Sequence, residues 1–203
     1  MKHKKDYKEK TLEYYNQNDK AFIDGTLNVD FSETQDKFLS FLKPGDKILD
    51  FGCGSGRDTK YFLEKGFEVT AIDGSKKMCE FASQFTGINI TQLDFLDFYE
   101  KERYNGIWAC SSILHLNSKE LLRVLKNISV ALKPDGIFYT SFKYGTFEGE
   151  RNGRFFNDMT QTKFSKSLKK IRFLELLENW VTEDVRTGLK NEKWFNVICK
   201  KNS

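Results

Sequence analysis

The sequence has few of the residues that build metal centres and disulfide frameworks. None of its four cysteines forms a C-x-x-C pair with another, and it has only two histidines. These residues are Cys53, Cys79, Cys110, Cys199, His3 and His115. Zinc sites need Cys or His ligands at short spacing, so we expect no metal site. Scattered cysteines without a disulfide framework are typical of proteins that work in a reducing cytosol.

Long apolar runs and a strong excess of one charge are also absent. No stretch approaches the roughly 20 apolar residues that cross a membrane, and no N-terminal stretch resembles a signal peptide. Lys and Arg number 33 against 29 Asp and Glu, and the net charge of +4 is scattered rather than clustered. We therefore expect a cytoplasmic protein without a membrane or nucleic-acid partner. The basic residues 1–5 are interpreted as a frayed terminus.

Hydrophobic residues, by contrast, are sufficient for a core. They make up 39% of the 203 residues, and the 19 phenylalanines are a high number for a chain of this length. Aromatic rings of this kind either fill a core or line a pocket for a flat ligand. The length fits one domain, or one core with a small appendage.

The chain begins with helical patterns and continues with alternating strands and helices. Helical spacing marks residues 11–21, and the sequence S-E-T-Q at 32–35 matches a capping box that would start a second helix. Strands are predicted at 48–50, 67–72, 88–93, 106–109, 137–142, about 173–185 and 194–200. Helices are predicted from Gly56 to Gly66, from Ser75 to Phe85, from Asn117 to Leu132 and over 162–169. Residues 133–136 are expected to form a turn, and 145–158 a polar loop.

This order predicts an α/β fold. Repeated β-α-β units give a mostly parallel sheet with helices on both faces, whereas the last two strands lack an intervening helix and are expected to pair antiparallel. In such sheets, ligands bind outside the carboxyl ends of the strands, where the strand order reverses. Candidate site residues are therefore sought after each strand.

A glycine-rich loop follows the first strand. Residues 50–56 have the sequence D-F-G-C-G-S-G, in which Gly52, Gly54 and Gly56 allow a tight turn and close backbone approach to a ligand. Dinucleotide sites use G-x-G-x-x-G, but Arg57 stands where the third glycine belongs. Asp50 would repel a pyrophosphate and attract a sulfonium. This spacing favours S-adenosylmethionine over NAD.

With these features the chain resembles the class I S-adenosylmethionine-dependent methyltransferases. The loop at 50–56 looks like their first motif, Asp73 falls where the family has the acid that holds the ribose hydroxyls, and Asp94 falls where an acid lies near the adenine. Residues 109–111 and the K-P-D-G turn at 133–136 also match, so the resemblance covers most of residues 40–200. Asn105 departs from the family, whose members commonly have Asp before the fourth strand.

The resemblance implies a Rossmann-like, doubly wound, seven-stranded sheet and S-adenosylmethionine as the cofactor. Asp97 competes with Asp94 for the adenine, and Asp73 could instead only close a turn with Gly74. The implied cofactor-binding residues are Tyr15, Asp50, Phe51, Gly52, Cys53, Gly54, Gly56, Arg57, Asp73, Gly74, Met78, Asp94, Phe95, Cys110 and Ser111.

The same resemblance divides the chain into one domain and an N-terminal helical segment. Residues 44–203 correspond to the methyltransferase domain. Residues 1–43 are similar to helical segments that cover the cofactor as a lid in small methyltransferases, with Tyr14, Tyr15 and Phe22 adding aromatic surface. The alternative is a helix that only packs on the sheet. The chain is also loosely similar to the bacterial tellurite-resistance methyltransferases.

The acceptor side has three candidate catalytic residues. His115 follows the fourth strand and could act as a base, or it could only hydrogen-bond the following helix. Arg151 and Arg154 could together clamp an anionic substrate, or form ion pairs within a solvated loop. Arg186 and Trp194 are further candidates for the border of this site.

The leading hypothesis is methyl transfer to a small molecule at O, N, S or a metalloid. Two alternatives remain open at this point: a methyltransferase acting on RNA or protein, and a non-catalytic module that binds the cofactor. A nicotinamide oxidoreductase is disfavoured by the glycine spacing.

Overall fold

The computed structural model describes residues 6–186 and 191–202, so the basic residues 1–5 lie outside the described part. In this described part, seven of the nine strands form one sheet, in the order β3-β2-β1-β4-β5-β9-β8. The strands are β1 Lys47–Phe51, β2 Glu68–Asp73, β3 Thr91–Gln92, β4 Tyr104–Ala109, β5 Leu132–Lys143, β6 Glu148–Arg151, β7 Arg154–Asn157, β8 Leu174–Glu183 and β9 Lys193–Lys201. The helices are α1 Tyr7–Gln17, α2 Asp19–Thr26, α3 Ser32–Leu39, α4 Arg57–Glu64, α5 Lys76–Thr86, α6 Ser118–Ala131 and α7 Gln161–Leu168.

The sheet confirms the predicted doubly wound architecture. Strand β1 pairs in parallel with both β2 and β4, so the strand order reverses beside β1 and its carboxyl end opens the crevice where ligands bind. Strands β5 and β9, and then β9 and β8, pair antiparallel, which confirms the C-terminal strand pair. A ligand site is therefore expected at the ends of β1, β2 and β4.

Local capping signals explain where two of the helices begin. The Ser75 hydroxyl accepts a hydrogen bond from the amide of Met78 at the start of α5. Asn117 and Glu120 form a reciprocal capping box at the start of α6. The capping box predicted at residues 32–35 is wrong, because α3 begins after Phe31 and the Ser32 hydroxyl donates backwards to Asp30 at 2.7 Å.

Several predicted boundaries differ from the structure. The third strand is two residues long rather than six. The N-terminal helix is divided at Asn18 into α1 and α2. The turn at 133–136 is included in the extended β5, but its residues have no partner in the ladder, because Leu132 pairs with Tyr104 and Ile137 already pairs with Gly106.

The largest correction concerns residues 145–158, which we predicted to be a polar loop. They contain a β-hairpin in which β6 and β7 pair antiparallel. Asn152 and Gly153 connect the two strands with φ of 50° and 76°. Two consecutive positive φ values at an Asn-Gly pair are typical of a tight hairpin turn. The hairpin extends over the carboxyl end of the sheet.

The core lies on both faces of the sheet. On one face Trp108 stacks on Tyr139 at 3.9 Å and packs against Phe38 and Phe62. On the other face α6 buries its apolar side, including Leu125 and Ile128. Among residues 6–186 and 191–202, no helix is long and apolar enough to span a membrane.

Candidate active site

A cavity of about 870 Å³ opens at the carboxyl ends of β1, β2 and β4. Small-molecule sites commonly measure about 300–1,000 Å³. Fifteen predicted site residues line it: Tyr15, Gly52, Cys53, Gly54, Arg57, Asp73, Gly74, Met78, Asp94, Phe95, Cys110, Ser111, His115, Arg151 and Arg154. Phe22, Arg186 and Trp194 also line it. Asp50, Phe51 and Gly56 do not line it, nor do Tyr14 and Asp97, so the structure brings most of the predicted set together but not all of it.

The glycine loop forms one wall of this cavity. Gly52, Gly54 and Gly56 have φ of 88°, 53° and 81°, a region that residues with a side chain rarely adopt. A Cβ on Gly52 would lie 2.4 Å from the Cβ of Ser112, and one on Gly54 would lie 3.1 Å from the Phe22 ring. The loop therefore needs glycine for both conformation and space.

Asp73 ends β2 and lines the cavity beside this loop. Its Oδ2 accepts a hydrogen bond from the Gly54 amide at 2.9 Å, and its Oδ1 accepts one from the Ser75 amide at 2.8 Å. Burial raises the pKa of this carboxyl, and the backbone amides act in the opposite direction. Each oxygen can accept a further hydrogen bond, so this cavity-lining carboxyl offers acceptors to a ligand.

Asp94 and Phe95 lie further along the same wall. The Asp94 carboxylate accepts a hydrogen bond from the Leu96 amide at 2.8 Å, and the Phe95 ring stacks on Phe51 at 4.6 Å. Asp94 lines the cavity and Asp97 does not, so of these two acids only Asp94 is placed to contact a ligand there.

Asp50 lies behind the loop instead of facing the cavity. Its carboxyl is buried and accepts a hydrogen bond from the Thr59 hydroxyl at 2.6 Å. Burial and the nearby Asp58 raise its pKa well above the ordinary value. The prediction that Asp50 attracts a cationic ligand directly is therefore wrong for this geometry. Of the two acids at the ends of β1 and β2, only Asp73 lines the cavity.

Asp58 is a residue that the sequence analysis missed. It accepts two hydrogen bonds from Arg57, at 2.7 and 3.0 Å, and others from Gln35 and Trp108. This buried network fixes Arg57 at the cavity wall. The only sequence signal for Asp58 was the Arg-Asp pair at the start of a helix.

The Cys110 thiol lies beside this network. Burial raises its pKa to about 12, so this cavity-lining cysteine remains a neutral thiol.

His115 is held between α1 and the hairpin. Its Nδ1 lies 2.6 Å from the Phe155 carbonyl oxygen, which only accepts, so Nδ1 carries the proton. In the neutral ring, Nε2 then accepts a hydrogen bond from the Tyr15 hydroxyl at 2.8 Å. His115 therefore does not cap the following helix, which Asn117 caps. Burial, helped by the charges of Arg154 and Arg151, lowers its pKa to about 4.

This neutral histidine predicts a pH-dependent stability. Between the ordinary pKa of 6.5 and about 4, the unfolded chain binds a proton at this position that the folded chain does not. The free energy of unfolding should therefore fall as the pH is lowered through this window. Denaturant unfolding of the wild type and of His115→Gln should show a flatter pH dependence for the variant. Equal slopes for the two proteins would contradict the assignment.

The predicted arginine clamp is only half available. Arg151 forms a bidentate ion pair with Asp158, with both distances 2.8 Å, so its donors are already engaged. Arg186 is likewise bound to Asp184. Arg154 instead stacks over the ring of Tyr14 at 4.4 Å. A two-arginine clamp is therefore wrong for this structure.

Helix α1 lines the cavity with Lys8, Thr11, Leu12 and Tyr15. Thr11 accepts a hydrogen bond from the Phe155 amide at 3.1 Å, and Tyr7 packs on the Phe155 ring at 4.4 Å. At its other end, Asn16 accepts one from the Ser75 hydroxyl at 2.7 Å. These contacts connect the helix to the hairpin and to the start of α5, which is the placement a lid would need.

Known proteins are similar to this chain in sequence and in fold. A family model described as a methyltransferase domain matches residues 48–136. The chain is 36% identical over 109 residues to the YqeM protein of Bacillus subtilis, a candidate methyltransferase, and the match covers 48% of this chain and 44% of that protein. It is 33% identical over 127 residues to phosphoethanolamine N-methyltransferase 1 of Zea mays, covering 58% and 25%. The chain thus spans less than half the length of either relative.

Two solved structures have the same fold. The 1,6-didemethyltoxoflavin-N1-methyltransferase of Burkholderia thailandensis, which contains S-adenosylhomocysteine, superimposes with a TM-score of 0.75 at 20% identity, covering 95% of this chain and 85% of that one. The magnesium protoporphyrin IX methyltransferase of Synechocystis, with bound S-adenosylmethionine, gives 0.75 at 16% identity over the full length of both chains. At these identities the likeness concerns the fold. The comparisons therefore show that residues 48–136 match a methyltransferase domain and that the chain has the fold of these two methyltransferase structures.

Proposed function

We propose that this protein transfers a methyl group from S-adenosylmethionine to a small-molecule acceptor. The observation that carries the proposal is the Asp73 carboxyl, which the Gly54 and Ser75 amides orient at the wall of the large cavity. When bound, S-adenosylmethionine supplies an activated methyl group, so the protein has to bind, align and desolvate.

The residues along β1 to β4 fit this cofactor. Asp73 would accept hydrogen bonds from the ribose hydroxyls, and Asp94 would accept one from the adenine amino group, with Phe95 beside it. The backbone at Gly52 and Gly54 carries no side chain that would obstruct a ligand. Asp50 would act indirectly, since its bond to Thr59 connects the end of β1 to α4 behind the loop.

A small acceptor is supported by what covers the cavity. Helix α1 and the β6–β7 hairpin lie across it and contact each other through Thr11 and Phe155. We propose that residues 6–43 serve as a lid over the reacting groups, with Tyr15 and Phe22 packed edge to face at 5.1 Å on its inner side. A cavity that is partly covered in this way suits a small acceptor better than a nucleic acid or a protein.

Tyr15 and His115 would manage a proton where the acceptor has one to lose. The Tyr15 hydroxyl donates to His115 Nε2, and its oxygen, which accepts from Arg154 Nη1 at 3.4 Å, has a second lone pair for an acceptor N–H or O–H. As the acceptor's proton moves to the Tyr15 oxygen, the original hydroxyl proton would move to His115 Nε2. His115 then acts through Tyr15, and the pH profile of turnover should shift in His115→Gln.

The direct test uses S-adenosylmethionine with an isotopically labelled methyl group. Purified protein is incubated with cofactor and a cell extract divided into small-molecule, RNA and protein fractions. The proposal expects label to appear in the small-molecule fraction only. Label in RNA or protein would instead support a macromolecular acceptor, and cofactor binding without transfer to any fraction would support a non-catalytic module.

A further inference from the structure

We infer that the methyl acceptor carries a carboxylate, or an equivalent planar anion, which Arg154 holds beside the Tyr15 hydroxyl. The inference rests on the proposed function, since it concerns the acceptor end of the same cavity. It differs from the clamp predicted from sequence, because it assigns the anion to one arginine and excludes Arg151.

The charges around the cavity point to Arg154. Each of the other arginines that line it has a carboxylate partner. The pairs are Arg57 with Asp58, Arg151 with Asp158, and Arg186 with Asp184. Arg154 has no ion pair with any carboxylate among residues 6–186 and 191–202.

The lysines that line the cavity are not alternative sites for an anion, and its remaining carboxyls do not pair with Arg154. Lys143 contacts Asp184 and Glu192, and Lys8 pairs with Glu120. The exposed Lys193 stands opposite Glu183 in the β8–β9 ladder. Asp73 and Asp94, the two cavity carboxyls bonded only to backbone amides, lie at the cofactor end. The cavity therefore has acids for the cofactor at one end and one arginine without an acid at the other.

The Arg154 guanidinium is also poorly hydrogen-bonded for its position. Its one hydrogen bond runs from Nη1 to the Tyr15 hydroxyl at 3.4 Å, and its Nε is buried without an acceptor among the described residues. Leaving such donors without partners costs free energy, and an anion on the terminal nitrogens would offset part of that cost.

Aromatic rings hold this guanidinium in place before any ligand arrives. Its central carbon lies 4.4 Å from the centre of the Tyr14 ring, 5.0 Å from Phe156 and 5.7 Å from Tyr15. A planar guanidinium fixed between rings presents its fork in one orientation, which matches a carboxylate held by two parallel hydrogen bonds. The bound anion would lie beside the Tyr15 oxygen, where the proposed proton transfer begins.

The test compares two probes of the same shape and different charge. Benzoate and benzamide are titrated by NMR into protein saturated with S-adenosylhomocysteine, and binding is read from chemical shifts without turnover. The wild type should bind benzoate at least about tenfold more tightly than benzamide, the effect of a charge-assisted hydrogen bond. Arg154→Gln should remove this preference, and Arg154→Lys should retain part of it. Arg103→Gln, which changes an exposed arginine paired with Glu100, should keep the full preference.

Each outcome is informative because the cofactor is measured in the same samples. Equal binding of both probes to the wild type would overturn the inference, and so would a preference for benzoate that survives in Arg154→Gln. If S-adenosylhomocysteine still binds in those cases, only the acceptor assignment fails. If S-adenosylhomocysteine does not bind the wild type, the proposed function fails and this inference falls with it. Thermal unfolding of each variant shows whether a loss of binding reflects a loss of fold.

Discussion

Replacing Asp73 with Asn is expected to weaken the binding of S-adenosylhomocysteine by about 100-fold. The carboxylate would accept two hydrogen bonds from the ribose, each worth about 1.5–3 kcal/mol when one partner is charged. Asn offers one acceptor oxygen, and its NH₂ group would face the Gly54 or Ser75 amide, both of which are donors. A loss of about 3 kcal/mol corresponds to about 100-fold in the dissociation constant. Isothermal titration calorimetry measures it.

Asp97→Asn is the matched control for this change. Asp97 likewise lies near the carboxyl end of a strand, β3, but it is exposed and does not line the cavity. Its replacement should leave the affinity within about twofold, because surface carboxylates away from a ligand contribute little. Equal losses in the two variants would show that net charge, rather than the position of Asp73, governs binding.

Gly52→Ala is expected to destabilise the protein by about 2–5 kcal/mol and to abolish cofactor binding. The left-handed backbone costs a residue with a side chain about 1–2 kcal/mol, and forcing a methyl group into filled space costs about 1–3 kcal/mol more. The added Cβ would lie 2.4 Å from Ser112, whose hydroxyl donates to the Phe51 carbonyl at 2.5 Å, so relief would break that bond. Chemical denaturation and calorimetry measure the two effects.

Gly66→Ala separates the two causes. Gly66 has nearly the same φ, 85°, but a Cβ there would meet nothing within 4 Å. This variant should lose only the conformational part, about 1–2 kcal/mol, and should bind S-adenosylhomocysteine normally. If both variants lost the same stability and Gly52→Ala still bound the ligand, the close packing of the loop on Ser112 would not matter for function.

The sequence predicted the sheet because its signals are local and repeated. Each apolar run between a helix and a turn marks one strand, and the order of the runs determines most of the topology. The β6–β7 hairpin was missed although its signal was present. Asn152-Gly153 is a strong turn pair, but the flanking strands carry charged and glycine residues instead of alternating apolar ones.

The site was predicted less completely than the sheet. Residues directly after strands, such as Asp73 and Asp94, reach the cavity because the carboxyl ends of parallel strands share one edge. Asp50 lies at such an end too, yet its side chain points behind the loop, a direction that spacing does not specify. Partners distant in sequence were also beyond prediction, as with Asp58 and Trp108, whose indole N–H donates to that carboxylate across 50 positions of the sequence.

The central claim is that this cavity recognises an adenosyl ligand through Asp73 and the glycine loop. Calorimetric titration of the purified wild-type protein with S-adenosylhomocysteine, and in parallel with NAD⁺, tests it most directly. We predict saturable binding of S-adenosylhomocysteine in the micromolar range and no heat from NAD⁺. Saturable heat from NAD⁺, with none from S-adenosylhomocysteine, would contradict it.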